Sequence, residues 1–133
     1  MAKLPLISQP GERFHYSSAT DVIGFLVESI ADMTLAEYFE QEIFEPLGMV
    51  DTGFMVPVEK ADRLATLYEA KGEGSLNEAS SELNSYSERT RLYAGGHGLV
   101  STAADYLRFA QMLLNYGELD GVRLLGKIGR AHV

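Results

Sequence analysis

Three four-residue signatures constrain this chain more than anything else in it. Ser18-Ala19-Thr20-Asp21, Thr34-Leu35-Ala36-Glu37 and Thr102-Ala103-Ala104-Asp105 each place a hydroxyl three residues ahead of an acid. In that pattern the hydroxyl oxygen can accept from an orphan backbone N–H of a starting helix. The acid then lies in the first turn, where the helix dipole favours negative charge. Each signature is followed by apolar residues at helical spacing. The chain is therefore expected to be mostly helical, with three helix starts fixed in advance.

The first helix is expected from about Ala19 to Asp32. Val22, Ile23, Leu26, Val27, Ile30 and Met33 cover so wide an arc that the helix reads as embedded. A second is expected from Leu35 to about Phe44, stopped by Pro46 and closed by Gly48. A third runs from Ala103 to about Tyr116, with Tyr106, Leu107, Ala110, Leu113 and Leu114 on its apolar face and Gly117 at its end. Residues between these helices are less patterned. Phe54-Met55-Val56 reads as a short strand, and Ala61 to Tyr68 as a helical turn entering another. Residues 71–91 are polar enough to read as a long surface loop. Asp120-Gly121 marks a turn. No internal repeat is evident.

Composition excludes several functions. Acidic residues number 19 against 11 basic ones, a net charge of −8. Phosphate contacts need Lys and Arg, so nucleic acid is not an expected partner, and anionic lipid is disfavoured for the same reason. The chain has no cysteine, which removes disulfides, thiolate nucleophiles and zinc-thiolate sites. No apolar run approaches the roughly 20 residues of a membrane span. With 46% hydrophobic residues the composition is globular. Neither compartment, cytoplasmic or periplasmic, nor oligomeric state is legible.

Familiar catalytic signatures are missing. There is no Gly-x-Ser-x-Gly elbow, Walker loop or His-Glu-x-x-His. The glycines at 95, 96 and 98 lack the strand and spacing of a dinucleotide fingerprint. Tyr16-Ser17-Ser18 is more informative, because it stands at the mouth of the first helix. Ser18 has a structural explanation as helix cap. A tyrosine ahead of a helix is ordinarily a packing residue with a wet hydroxyl. It also has a chemical reading. A phenol ordinarily titrates near pH ~10 and is a poor base at neutrality. A nearby ammonium and a helix N-terminus both favour the phenolate. Tyr16 has the terminus beside it and lacks only the cation and a nucleophile to serve.

These segments resemble the serine β-lactamase-related family, which contains class C β-lactamases, esterases of the same fold and D-alanyl-D-alanine carboxypeptidases. The resemblance is carried by Pro10-Gly11, Tyr16-Ser17-Ser18 and Phe44-Glu45-Pro46-Leu47-Gly48-Met49, and later by the block from Gly95 to Leu125, "GGHGLVSTAADYLRFAQMLLNYGELDGVRLL". The matches span most of residues 4–125, and their order and spacing are specific. The first stretch is most similar to the esterase and carboxypeptidase-like branch.

The resemblance implies a fold class and a mechanism. The fold would be α/β, with mixed helices and strands: a mostly helical fragment of the β-lactamase/transpeptidase-like fold that lacks most of the catalytic antiparallel sheet. In the family a serine of Ser-x-x-Lys attacks an acyl carbonyl, and the lysine and the tyrosine of Tyr-x-Asn share the proton transfer. A C-terminal Lys-Thr-Gly or His-x-Gly strand helps form the oxyanion site. Only the tyrosine maps onto this chain, at Tyr16. Ser18 replaces the family's Asn, and being shorter it puts β-lactam recognition in question. Gly96 and His97, with Gly95, are expected to border the cleft as substrate contacts, or else to form a purely structural turn.

The nucleophile is not here. The residues three before Lys60, Lys71 and Lys127 are Pro57, Tyr68 and Leu124. Residues 1–126 therefore read as an internal part of a serine hydrolase domain, with Met1 an internal methionine. The final stretch "KIGRAHV", residues 127–133, continues no pattern and resembles translated sequencing-adapter oligonucleotide. The expected parent cleaves a small-molecule ester, amide or β-lactam without metal or organic cofactor, while this chain alone is expected to be inactive. The alternatives are a catalytically silent binding or scaffold protein and an autonomous small helical interaction domain.

Overall fold

The computed structural model describes residues 5–72, 74–79, 86 and 92–126. The adapter-like stretch 127–133 and most of the polar segment 80–91 lie outside the described residues. Helices α1 (Ala19–Ala31), α2 (Leu35–Phe39), α3 (Glu45–Leu47) and α4 (Ala103–Leu114) dominate, with a π-helical turn at Glu40–Phe44 and a 3-10 helix at Val58–Arg63. Two small antiparallel hairpins complete the described chain: β1 (Tyr68–Ala70) with β2 (Leu76–Glu78), and β3 (Glu118–Leu119) with β4 (Val122–Arg123). This is the mixed helix-and-strand architecture expected, with more helix than strand among the described residues.

Two of the three helix starts are capped as the sequence implies. Thr34 accepts from the N–H of Glu37, whose carboxylate reaches back to the Thr34 N–H, a complete capping box. Thr102 accepts from the N–H of Asp105 at 3.2 Å. Ser18 does not cap: its side chain makes no hydrogen bond to the helix. The reason is backbone geometry. Thr34 and Thr102 are extended, with ψ of 154° and 160°, which swings the hydroxyl over the free amides. Ser18 has ψ of 25°.

Pro46 does not stop the second helical stretch. The backbone widens into the π turn just before it, and Pro46 then occupies the opening of α3, where a missing N–H costs nothing. Gly48 closes the helix as expected. It adopts φ of 64°, the Gly48 N–H bonds the Glu45 carbonyl, and the Met49 N–H bonds the Phe44 carbonyl. This paired arrangement satisfies carbonyls at the helix end and brings Met49 onto Phe44.

Phe44, Leu47, Met49 and Met112 form the buried core, with Phe39, Ile43, Phe109, Leu113 and Leu119 packed around them. Arg108 stitches this core to its surroundings: its Nε donates to the Leu47 carbonyl, and its terminal nitrogen pairs with Asp120 at 2.7 Å. Asp120 and Gly121 both have positive φ, as a tight two-residue hairpin turn requires.

Four expectations about faces, strands and loops are overturned. The apolar arc of α1 is not embedded: Val22, Ile23, Phe25, Leu26 and Ile30 are exposed. On α4 the buried residues are Asp105 and Met112, while Tyr106, Leu107 and Leu114 face out. Periodicity locates an apolar stripe but not the surface that meets it. Phe54-Met55-Val56 is not a strand. Only Gly53 pairs, in a single bridge to Val100, because the Val56 N–H turns to the Tyr86 carbonyl and Pro57 follows. Conversely, the expected loop at 71–91 contains β2. Its hairpin with β1 is exposed on both strands, so it carries no alternating apolar signal.

Candidate active site

Tyr16 and Ser18 lie on the approach to α1, both exposed. The Tyr16 ring is 96% accessible. Nothing among the described residues packs over it, which leaves its hydroxyl accessible. Its placement two residues before the cap position leaves it beside the positive end of a 13-residue helix.

The glycine-rich passage meets the same helix end. Gly95 rests directly on the first turn of α1: a Cβ there would stand 2.1 Å from the Thr20 carbonyl oxygen and 3.3 Å from the Gly24 nitrogen. No side chain can occupy that space, so glycine is required by contact rather than by backbone angle. Gly24 is small for the complementary reason, since its own Cβ would approach Leu35 Cδ2 and the Gly95 Cα to 3.1 and 3.3 Å. Gly96 donates its N–H to Asp21 Oδ1 at 2.9 Å. His97 is exposed beside it. The segments holding Tyr16, Ser18, Gly96 and His97 are thus brought to one end of α1.

A second polar cluster was not anticipated from the sequence. The Asp51 carboxylate takes Lys60 Nζ at 2.6 Å and both terminal nitrogens of Arg63, at 3.0 and 2.8 Å. The hydrogen bonds from Arg63 and then Lys60 hold the Asp51 carboxyl well below the usual carboxylate range, and the same contact raises the Arg63 guanidinium. Asp105, almost wholly buried, accepts from the Asp51 N–H and from Thr52 Oγ1, and Thr52 in turn meets Ser101 Oγ at 2.8 Å. This cluster borders an open cavity of about 410 Å³ whose apolar wall includes Phe54, Val56, Leu64 and Tyr93. None of Tyr16, Ser18, Gly96 and His97 lines it. Nothing in the local spacing of Asp51, Lys60 and Arg63 announces the cluster, because each reads as an ordinary surface charge.

Among the described residues no group of three or more His, Asp or Glu could hold a metal ion. Among them, too, no helix is long and apolar enough to cross a membrane.

Comparison with known proteins gives the same fold and a chemical context. The Beta-lactamase family profile matches residues 1–132. Protein Rv1367c of Mycobacterium tuberculosis is 42% identical over 125 residues, which is 94% of this chain and 31% of that protein. The lovastatin esterase of Penicillium rubens is 35% identical over 120 residues, covering 86% of this chain and 29% of the esterase. Among solved structures, the simvastatin synthase of Aspergillus terreus superposes with a TM-score of 0.77 at 26% identity, over 96% of this chain and 31% of that one. The chain thus spans about a third of the length of such relatives. A family match along nearly the whole sequence and relatives at 35% and 42% identity agree: this chain belongs to the Beta-lactamase family, among serine hydrolase relatives.

Proposed function

We propose that this chain is the central helical part of a serine hydrolase that cleaves an ester or amide through a serine acyl-enzyme, with Tyr16 as the proton-transfer residue. The observation that carries the reading is the Tyr16 phenol itself. It is unburied and stands at the positive end of α1, beside a loop whose backbone is fixed against that same helix end. In this reaction a serine Oγ outside the chain adds to the acyl carbonyl carbon. As the serine proton moves to the Tyr16 oxygen, the tyrosine's own hydroxyl proton passes on to the leaving alkoxide or amine and the acyl C–O or C–N bond breaks; water later attacks the acyl carbon through the same relay, releasing the acid and regenerating the serine. The mechanism calls on no metal or organic cofactor. Kinship with a protein named lovastatin esterase favours an ester.

The test compares the full-length parent with the 133-residue chain on nitrocefin and p-nitrophenyl butyrate. The parent should turn over at least one of them, and Tyr16→Phe should lower its kcat by about a hundredfold or more. The isolated chain should show no turnover. Hydrolysis by the isolated chain that disappears on Tyr16→Phe, or a parent whose rate ignores that substitution, would overturn the reading.

One residue favours a second reading. Ser18 stands where the family carries Asn and makes no side-chain cap contact that would explain its retention. A catalytically silent binding protein would tolerate that change. Extending the gene upstream discriminates: a Ser-x-x-Lys supports the enzyme, and its absence the binding protein.

A further inference from the structure

Asp21 turns away from the helix it opens. Its Oδ1 accepts the Gly96 N–H at 2.9 Å, joining positions 75 apart in sequence. A first-turn acid commonly serves its own helix end; here the lone pair is committed to another segment. The contact does not act alone. The Thr20 carbonyl would lie 2.1 Å from a Cβ at Gly95, and Thr20 Oγ1 2.8 Å from one at Gly96. Two residues without side chains let the loop ride on the first turn of α1, and one carboxylate sets its register there. His97 directly follows the anchored Gly96, and Tyr16 lies on the approach to α1, ahead of its first residue Ala19.

We infer that Asp21 is a positioning residue: by holding Gly96 it fixes the stretch from Gly95 to Gly98 against the start of α1, and so sets where His97 stands relative to Tyr16. The inference rests on the role given to Tyr16 above. It assigns to Asp21 no contact with substrate. Its effect should fall on turnover more than on substrate affinity, because a shift of the loop misplaces Gly96 and His97 relative to Tyr16 without deleting either from the border of the cleft.

The experiment uses the full-length protein carrying Asp21→Ala, Asp21→Asn, Tyr16→Phe or Phe109→Leu. Turnover of p-nitrophenyl butyrate and hydrogen exchange at the Gly96 amide are measured on each. Asp21→Ala should lower kcat about tenfold with KM changed less than about twofold. The Gly96 amide should exchange about tenfold faster. Asp21→Asn keeps an acceptor oxygen in the same place and should restore both quantities to within about threefold of wild type. Phe109→Leu disturbs the core cluster instead, and should lower the melting temperature while leaving both readouts unchanged. Wild-type kcat and Gly96 exchange in Asp21→Ala would overturn the inference, as would losses that Phe109→Leu reproduces. Should Asp21→Ala be silent while Tyr16→Phe is dead, only the positioning role falls. Full turnover in Tyr16→Phe would remove the Tyr16 reading and this inference with it.

Discussion

The Asp105 carboxylate accepts the backbone N–H of Asp51 at 2.7 Å, joining the first turn of α4 to a segment 54 residues earlier. The same oxygen takes the Thr52 hydroxyl at 2.8 Å. Asp51 turns its own carboxylate the other way, toward Lys60 and Arg63. Asp105 and the partly buried Asp51 thus tie residues 51 and 52 to α4 on one hand and to the 3-10 helix on the other.

Removing the buried acid should be costly. Asp105 is 5% exposed, and Asp105→Ala leaves two donors without their acceptor. A loss of about 3 kcal/mol is expected from urea unfolding. Asp105→Asn retains one acceptor oxygen and should lose about half as much.

Glycine at position 95 is expected to be irreplaceable even by alanine. With the Thr20 carbonyl 2.1 Å from the new methyl, the loop must lift from α1. Gly95→Ala should destabilise by about 3 kcal/mol. Gly126→Ala, where nothing lies within 4 Å, is the control and should change the melting temperature little.

Acid should weaken the fold in part through Asp51. Its carboxyl is depressed in the folded chain, chiefly by Arg63 and then by Lys60. The stability it contributes is therefore complete above the unfolded value of about 3.9 and is lost as pH falls toward the folded one. Melting temperatures taken between about pH 5 and pH 2 should fall in wild type. Asp51→Asn should flatten that slope while starting from a lower plateau. An identical slope in both proteins would remove Asp51 from the account.

The outward apolar face of α1 should make the isolated chain adhesive. Ile23 and Ile30 are both exposed, beside Val22 and Leu26. Ile23→Lys combined with Ile30→Lys should reduce dye binding and light scattering, at a stability change within about 1 kcal/mol. Unchanged scattering would place the adhesive surface elsewhere.

The pattern of right and wrong expectations follows the range of the forces involved. The starts of α2 and α4, the Gly48 closure and the Asp120-Gly121 turn were legible, because each rests on atoms within a few residues; α1 begins at Ala19 as expected although the Ser18 cap that marked it is not made. Asp21 and Asp105 sit in the first turns where they were expected, yet their carboxylates bind distant amides, and no local pattern distinguishes the two uses. The outward faces of α1 and α4 misled for a related reason. Apolar spacing records that a surface is meant to be covered, and the chain in hand does not cover it. At the candidate site, Tyr16 and the glycine passage were each visible as odd local composition. Their meeting at one helix end depends on the Gly95 approach to Thr20, a contact between segments that no spacing encodes.

The widened turn at Glu40–Phe44 bears on how this segment can vary. Its Glu45 N–H reaches back to Glu40 rather than to Gln41, so the chain carries one residue more than ordinary winding needs. Deleting any one residue there would return the backbone to regular winding. Five residues of the wide turn sweep about the same angle as four of an ordinary helix, so Phe44 and Leu47 would keep their facing relative to Leu35 and Phe39. A second deletion has no such slack and would rotate everything downstream by about 100°, carrying both side chains out of the interior. The stretch can therefore shorten by one residue and no more, and the residues from Glu40 to Glu42, none of them buried, are where it can do so.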